Sequence, residues 1–304
     1  MRGLIVTAFA AFMIAAGAAP CVAERVTIDH LGLDLTANLE LAPGKSLKGD
    51  GAVLIVHNTL GSDRMEPIAT LQDALRDHGI NTLAITLGLG IDNRKGNFNC
   101  AMEQAHHHED AIDEIADWVK WLKDKGASSI TVAGHGRGAN QVALYAINRL
   151  DKSVKRVVLM APLMQTEESA EAEYRAVFRG SLRQELGKAE ELVANQNGNQ
   201  FVNVPGFLTC SNPAVTASAF ANYYGSNPKF KTTNLLPSIK LPVLIAVGDG
   251  DPALPEIKAA EGEFSQLKTV TLAVVPGTDQ NFHDLGAEEL AKKVKDFLVH
   301  RVQG

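Results

Sequence analysis

The residues Gly134-His135-Gly136-Arg137-Gly138 constrain this chain more than any others. A β-forming run, Ser129-Ile130-Thr131-Val132-Ala133, leads into them, and a helix-forming run, Asn140-Gln141-Val142-Ala143-Leu144-Tyr145-Ala146, leads out. Glycines at alternate positions let the backbone turn sharply where a Cβ would collide. A strand–turn–helix of this kind lifts its central side chain above the sheet edge. Here the central residue is Gly136, which has no side chain to lift.

Apolar runs recur around this turn. Ala52 to Val56, Thr82 to Thr86, Ile130 to Ala133, Val157 to Met160, Val243 to Val247 and Val270 to Val275 are almost continuously apolar, as strands covered on both faces must be. Between Val26 and Leu41 the pattern alternates loosely, which suits antiparallel strands at a sheet edge. Helical stripes stand between or after the runs. Pro67 can open a helix carrying Ile68, Leu71 and Leu75 on one face; Ile112, Ile115, Val119 and Leu122 form a second stripe, and Leu290, Val294, Phe297 and Leu298 mark the last. The expected class is α/β, a mostly parallel central sheet with helices on both faces.

Residues 163–240 break the alternation with a charged, helix-prone piece (Glu167 to Glu191), a polar run (Asn195 to Gln200) and an aromatic-bearing piece. They read as a cap-like insertion over the carboxyl edge of the sheet, dividing the core into residues 24–162 and 241–304. The aromatics Phe201, Phe207, Phe220, Tyr223 and Tyr224 suit either the roof of a pocket or a small core within the cap. Trp118 and Trp121, beside the Ile115/Val119 stripe, are expected in core or edge packing.

The first 23 residues read as a secretory signal, with Arg2 before the apolar run Leu4 to Ala19 and cleavage after Ala23. A retained anchor is the weaker alternative because the run is short, and Pro20 makes Cys21 a poor lipidation site. The expected product is a soluble periplasmic or secreted chain of roughly 280 residues. A formal net charge of -6 leaves no electrostatic footprint for nucleic acid. Export and two remaining cysteines favour a Cys100–Cys210 disulfide over two buried thiols.

Taken with the loops that follow the later strands, the glycine turn resembles the nucleophile elbow of the α/β-hydrolase superfamily, and the resemblance covers nearly all of the mature length. It implies an α/β-hydrolase fold with nucleophile, acid and histidine in chain order. The nucleophile position falls on Gly136, which can neither attack nor accept a proton. The acid position falls on Asp251 in Gly248-Asp249-Gly250-Asp251-Pro252, with Asp249 as neighbour; Asp-Gly and Asp-Pro are also ordinary turn formers. The histidine position falls on Gln280, which cannot serve as general base near neutral pH. His283 lies three residues on, either a displaced replacement or a surface histidine at a helix start. His135, before the nucleophile position, is expected to pack away from the reaction centre.

The loop His57-Asn58-Thr59-Leu60-Gly61-Ser62 resembles the family's His-Gly-type oxyanion loop, with a second amide from Arg137. Asn58, Thr59 and Arg137 are therefore expected to frame an open, anion-binding pocket. Thr59 and Ser62 are the hydroxyls near it. Cys100 with His106-His107-His108-Glu109-Asp110 resembles a metal cluster at first sight; His106, His107 and Asp110 are weak candidates, because acidic residues at a helix start need no metal.

Two readings follow. The first is a non-catalytic ligand-binding or accessory protein with a degenerate triad, no cofactor, a small-molecule ligand of anionic or acyl-bearing character and room for a protein partner. The alternative is an ester or acyl hydrolase with a non-standard arrangement of Asp251 and His283.

Overall fold

The structure is a computed structural model that describes residues 22–299. The expected signal segment lies outside the described residues except for its last two positions. Val22 opens the first strand, β1 (Val22–His30), so cleavage after Ala23 would leave most of that strand in place. It pairs antiparallel with β2 (Leu33–Leu41) across a turn whose Leu31 and Gly32 both have positive φ, the sense of turn that matches the twist of a hairpin.

The remaining strands of the central sheet are β3 (Ala52–Val56), β4 (Thr82–Thr86), β5 (Ile130–His135), β6 (Val154–Met160), β7 (Val243–Gly248) and β8 (Val270–Val275). They lie in the order β1-β2-β4-β3-β5-β6-β7-β8. The strand β2 meets β4 antiparallel, and every pairing beyond it is parallel. The longer helices are α1 (Glu66–Asp77), α2 (Asp110–Asp124), α3 (Arg137–Asn148), α4 (Glu167–Phe178), α5 (Leu182–Ala194), α6 (Ala217–Tyr224) and α7 (Leu285–Val299).

Continuous apolar strands make sense because both faces of the sheet are covered. Leu54, Val56, Leu83 and Ile85 pack with Ile115 and Trp118 of α2 and Val142 of α3. The alternate residues Val53, Ile55 and Ala84 pack on the other face with Ile68 and Leu71 of α1 and Leu290 and Val294 of α7. Trp118 is fully buried and meets Trp121 edge to face. Side chains that alternate along a strand serve two cores at once.

Residues 163–240 add no strand to this sheet. Three of their helices begin at side-chain caps: Thr166 with Ser169 in a reciprocal box, Ser181, and Thr216. Tyr174, Phe207, Phe220 and Tyr223 form an aromatic core of their own, so these four rings stabilise the cap. Of the aromatics read from the sequence, Tyr224 reaches the cavity below, while Phe201 is exposed. A Cys100–Cys210 disulfide, closing a separation of 110 residues, ties this segment to the loop before α2.

Candidate functional site

The site is built on the turn between β5 and α3. Gly136 has φ +57° and ψ −118°, a conformation that costs an L-residue about 1–3 kcal/mol. Its neighbours are glycines for a steric reason. A Cβ on Gly134 would lie 2.3 Å from the carbonyl oxygen of Gly138, and one on Gly138 would lie 2.3 Å from that of His57. Strand, helix and the loop after β3 therefore touch through backbone, and the turn is held tightly against that loop.

The loop has its own rigid support. His57 is fully buried and carries its proton on Nδ1, which donates to the Asn58 carbonyl at 2.7 Å. Its Nε2 accepts from the Leu87 amide (3.0 Å) and the Arg94 guanidinium (3.1 Å). Burial, with the Arg94 charge adding to it, pushes this imidazole down to about 3. Arg94 also donates to the carbonyls of Leu87, Gly61 and Gly96. Desolvation lowers its own pKa to about 10. In the sequence His57 is marked only as the first residue of the oxyanion-type loop, and Arg94 carries no signal at all.

Supported in this way, Asn58 points its side chain back under the elbow. Its Oδ1 accepts from the amides of Thr59 (2.7 Å) and Arg137 (2.9 Å) and from the Thr59 hydroxyl (3.2 Å). Those two amides are the donors that the resemblance assigned to an oxyanion. The same carboxamide occupies the nucleophile's space: a Cβ built on Gly136 would lie 2.2 Å from Oδ1, 2.4 Å from Cγ and 2.7 Å from Nδ2 of Asn58. The expected open anion pocket at Asn58, Thr59 and Arg137 is thus corrected. The three residues do come together, but the chain's own amide oxygen fills the position.

The Arg137 side chain runs from the elbow into the cap. Its Nε donates to Thr59 Oγ1 (3.3 Å) and its Nη2 to Gln165 Oε1 (2.9 Å). The guanidinium carbon stands 5.2 Å from the Tyr223 ring centre and 5.9 Å from that of Phe230. Burial lowers its pKa, and cation–π contact offsets part of the cost.

Gly136, Asp251 and Gln280 line one cavity of about 520 Å³ together with Asn58, Thr59 and Arg137. The three triad positions therefore border the same cavity. Asp251 is buried; its Oδ1 accepts from the Ala253 amide (2.7 Å), while Oδ2 has no hydrogen-bond partner. Desolvation raises its pKa, and the Asp279 charge adds to the rise. Asp249 is the turn former of the pair, with Oδ1 accepting from the amides of Gly277 and Thr278. His135 is buried beside Phe282 and donates from Nε2 to the Gln280 carbonyl (2.7 Å), fixing position 280 against the elbow.

His283 does not join the site. Its ring is exposed, with Nδ1 2.9 Å from Glu66 Oε1, and it borders a separate surface depression with Asp279 and Glu288. Its hydrogen bond to the Glu66 carboxylate raises its pKa. Its candidacy as a residual catalytic histidine is corrected: the loop reaches the surface at that point, and the carboxylate it pairs with is not Asp251. Ser62 is buried away from the cavity, near Asn97.

The histidine run holds cap to core. His106 Nδ1 meets the Tyr223 hydroxyl (2.9 Å), His107 Nε2 meets Ser218 Oγ (2.9 Å) and the His108 amide donates to Asn222 Oδ1 (2.7 Å), while His108 Nε2 meets Asn140 Oδ1 (2.8 Å) within the core. Asp110 accepts from the His107 amide (2.7 Å), as a carboxylate at a helix start does. Among the described residues no group of three or more His, Cys, Asp or Glu is placed to hold a metal ion.

No protein-family model and no curated protein matches this chain. Solved structures do. Est1E from Butyrivibrio proteoclasticus with bound ferulic acid is 21% identical, covering 90% of this chain and 98% of that one at a TM-score of 0.63. An esterase of Pyrococcus furiosus is 17% identical, covering 93% and 94% at a TM-score of 0.57. A serine hydrolase homologue from Coxiella burnetii is 16% identical, covering 91% and 97% at a TM-score of 0.54. At these identities the likeness is one of fold: this protein has the α/β-hydrolase fold.

Proposed function

We propose that the protein is a non-catalytic ligand-binding or accessory protein on an α/β-hydrolase scaffold. The observation that carries this reading is the Asn58 carboxamide, which accepts both oxyanion-hole amides and stands where a nucleophile's side chain would go. Acyl transfer needs a nucleophile, a base and free donors for the developing oxyanion. Gly136 and Gln280 leave the first two positions empty, and Asn58 fills the third. The cavity between elbow and cap remains, of a size ordinary for small-molecule sites.

We place the protein in the periplasm or outside the cell. The signal-like N-terminus and the Cys100–Cys210 bridge support this, since such bridges persist in oxidising compartments. No described helix is long and apolar enough to cross a membrane.

The test is kinetic. The full chain is assayed against short-chain aryl esters and thioesters beside its His283→Ala and Asp251→Asn variants. The expected result is hydrolysis at the buffer rate for all three. Wild-type turnover that either substitution abolishes would establish a hydrolase with a non-standard arrangement.

A further inference from the structure

The charge of the cavity differs from what an oxyanion site would suggest. The backbone donors that could hold an anion are already engaged. The amides of Thr59 and Arg137 donate to Asn58 Oδ1. The Arg137 guanidinium donates to Thr59 and Gln165 and lies against the rings of Tyr223 and Phe230, and its Nη1 is buried without a hydrogen-bond partner.

The acceptor side carries the larger number of charges. Asp251 is 6% exposed, lines the cavity, and has one carboxylate oxygen with no hydrogen-bond partner. A buried unpaired carboxylate oxygen is costly, and it calls for a donor. Gln280, at the position where a histidine ring would face this acid, is exposed at the cavity's border. Glu173 and Glu256 also line the cavity, the latter partly balanced by Lys231 at 2.9 Å. Against three carboxylates the lining offers one guanidinium, Arg137. Around them the walls are apolar, from Leu163, Met164, Tyr174, Val177, Phe178 and Leu208.

We infer that the cavity takes a ligand with a protonated amine head and an apolar body, the head paired with Asp251 and the body under the cap. The inference rests on the binding-protein reading and adds the sign of the ligand's charge to it. An ammonium donates to Oδ2 and supplies the countercharge that burial makes valuable. A carboxylate in the same place would meet Asp251 and Glu173 and find no free donor in the amide pair.

The test uses three probes with one body, octylamine, octanoate and octanol, titrated calorimetrically into the full chain near neutral pH. Octylamine is expected to bind about tenfold or more tighter than octanoate. Asp251→Asn, which retains the Oδ1 acceptor for Ala253, is expected to bring the two within about threefold. Glu173→Gln is expected to keep most of the preference. Octanoate binding as tightly as octylamine would overturn the charge assignment while leaving the binding reading intact. An Asp251→Asn variant with the wild-type ratio would overturn the assignment to Asp251, and no binding of any probe would overturn the inference altogether. Hydrolysis of the 4-nitrophenyl ester of octanoate would instead overturn the non-catalytic reading, whichever probe binds.

Discussion

Restoring a nucleophile at the elbow is the perturbation with the most readable consequence. In Gly136→Ser the new Cβ would be placed 2.2 Å from Asn58 Oδ1 and 2.4 Å from Cγ. These atoms are held by two backbone amides, so the carboxamide must rotate out and leave the Thr59 and Arg137 donors unpaired. An L-residue at this φ and ψ adds about 1–3 kcal/mol, and each unpaired donor about 1–2 kcal/mol where cavity water can reach it, giving a loss of roughly 3–7 kcal/mol. Asn58→Ala alone removes the same two hydrogen bonds and should cost about 2–4 kcal/mol. The two substitutions share most of their cost, because alanine at 58 clears the atoms the serine would strike. The double variant should therefore be more stable than the sum of the singles by about 2 kcal/mol. Urea unfolding of wild type, both singles and the double measures this coupling. Additivity within about 0.5 kcal/mol would refute the claim that Asn58 fills the nucleophile's space.

Acid should destabilise the fold. His57, His106 and His108 are pushed by burial from 6.5 down to about 3, so they favour the folded state above 6.5 and withdraw that support as pH falls. Between about pH 7.5 and 5.5 they withdraw about 4 kcal/mol together; Glu114, raised by burial to about 7, protonates in the fold and returns about 2, for a net loss of about 2 kcal/mol. Stability measured across that interval should fall, and a flat or rising profile contradicts the burial of the three rings. Reducing Cys100–Cys210 should cost about 2–5 kcal/mol for a loop this long, read as an earlier urea midpoint with reductant and in the Cys100→Ser/Cys210→Ser variant. Coincident midpoints would deny the bridge a structural role. Arg94→Ala strands three carbonyls and the His57 ring and should lower stability by about 3 kcal/mol or more; a loss below about 1 kcal/mol would show that the loop after β3 does not depend on it.

Much of the fold is legible in the sequence because strands covered on both faces leave continuous apolar runs. Ala52–Val56 and Thr82–Thr86 are strands with those limits. The elbow is legible too, since glycines at 134 and 138 answer to contacts that no Cβ would fit. The acid and histidine positions are assigned from loop order, and Asp251, Gln280 and Gly136 border one cavity.

What stayed hidden is how side chains fill the space those loops enclose. Asn58 stands in the loop that resembles a His-Gly-type motif, at a position where the motif has no side chain. That departure was the available signal for a filled oxyanion hole, but direction is set by the tertiary contact with the Thr59 and Arg137 amides, which no local pattern encodes. Arg94 carries even less signal, because its partners His57 and Gly61 lie more than thirty residues away. The surface pairing of His283 with Glu66 is a contact between chain segments far apart, invisible to any reading of the loop alone.

The central claim is that no side chain of this protein acts as an acyl-accepting nucleophile. Intact-mass spectrometry after exposure to a fluorophosphonate measures it directly. The expected result is an unshifted wild-type mass under conditions that fully modify a serine esterase. A stoichiometric adduct on the wild-type chain, at Ser62, Thr59 or any other residue, would contradict it.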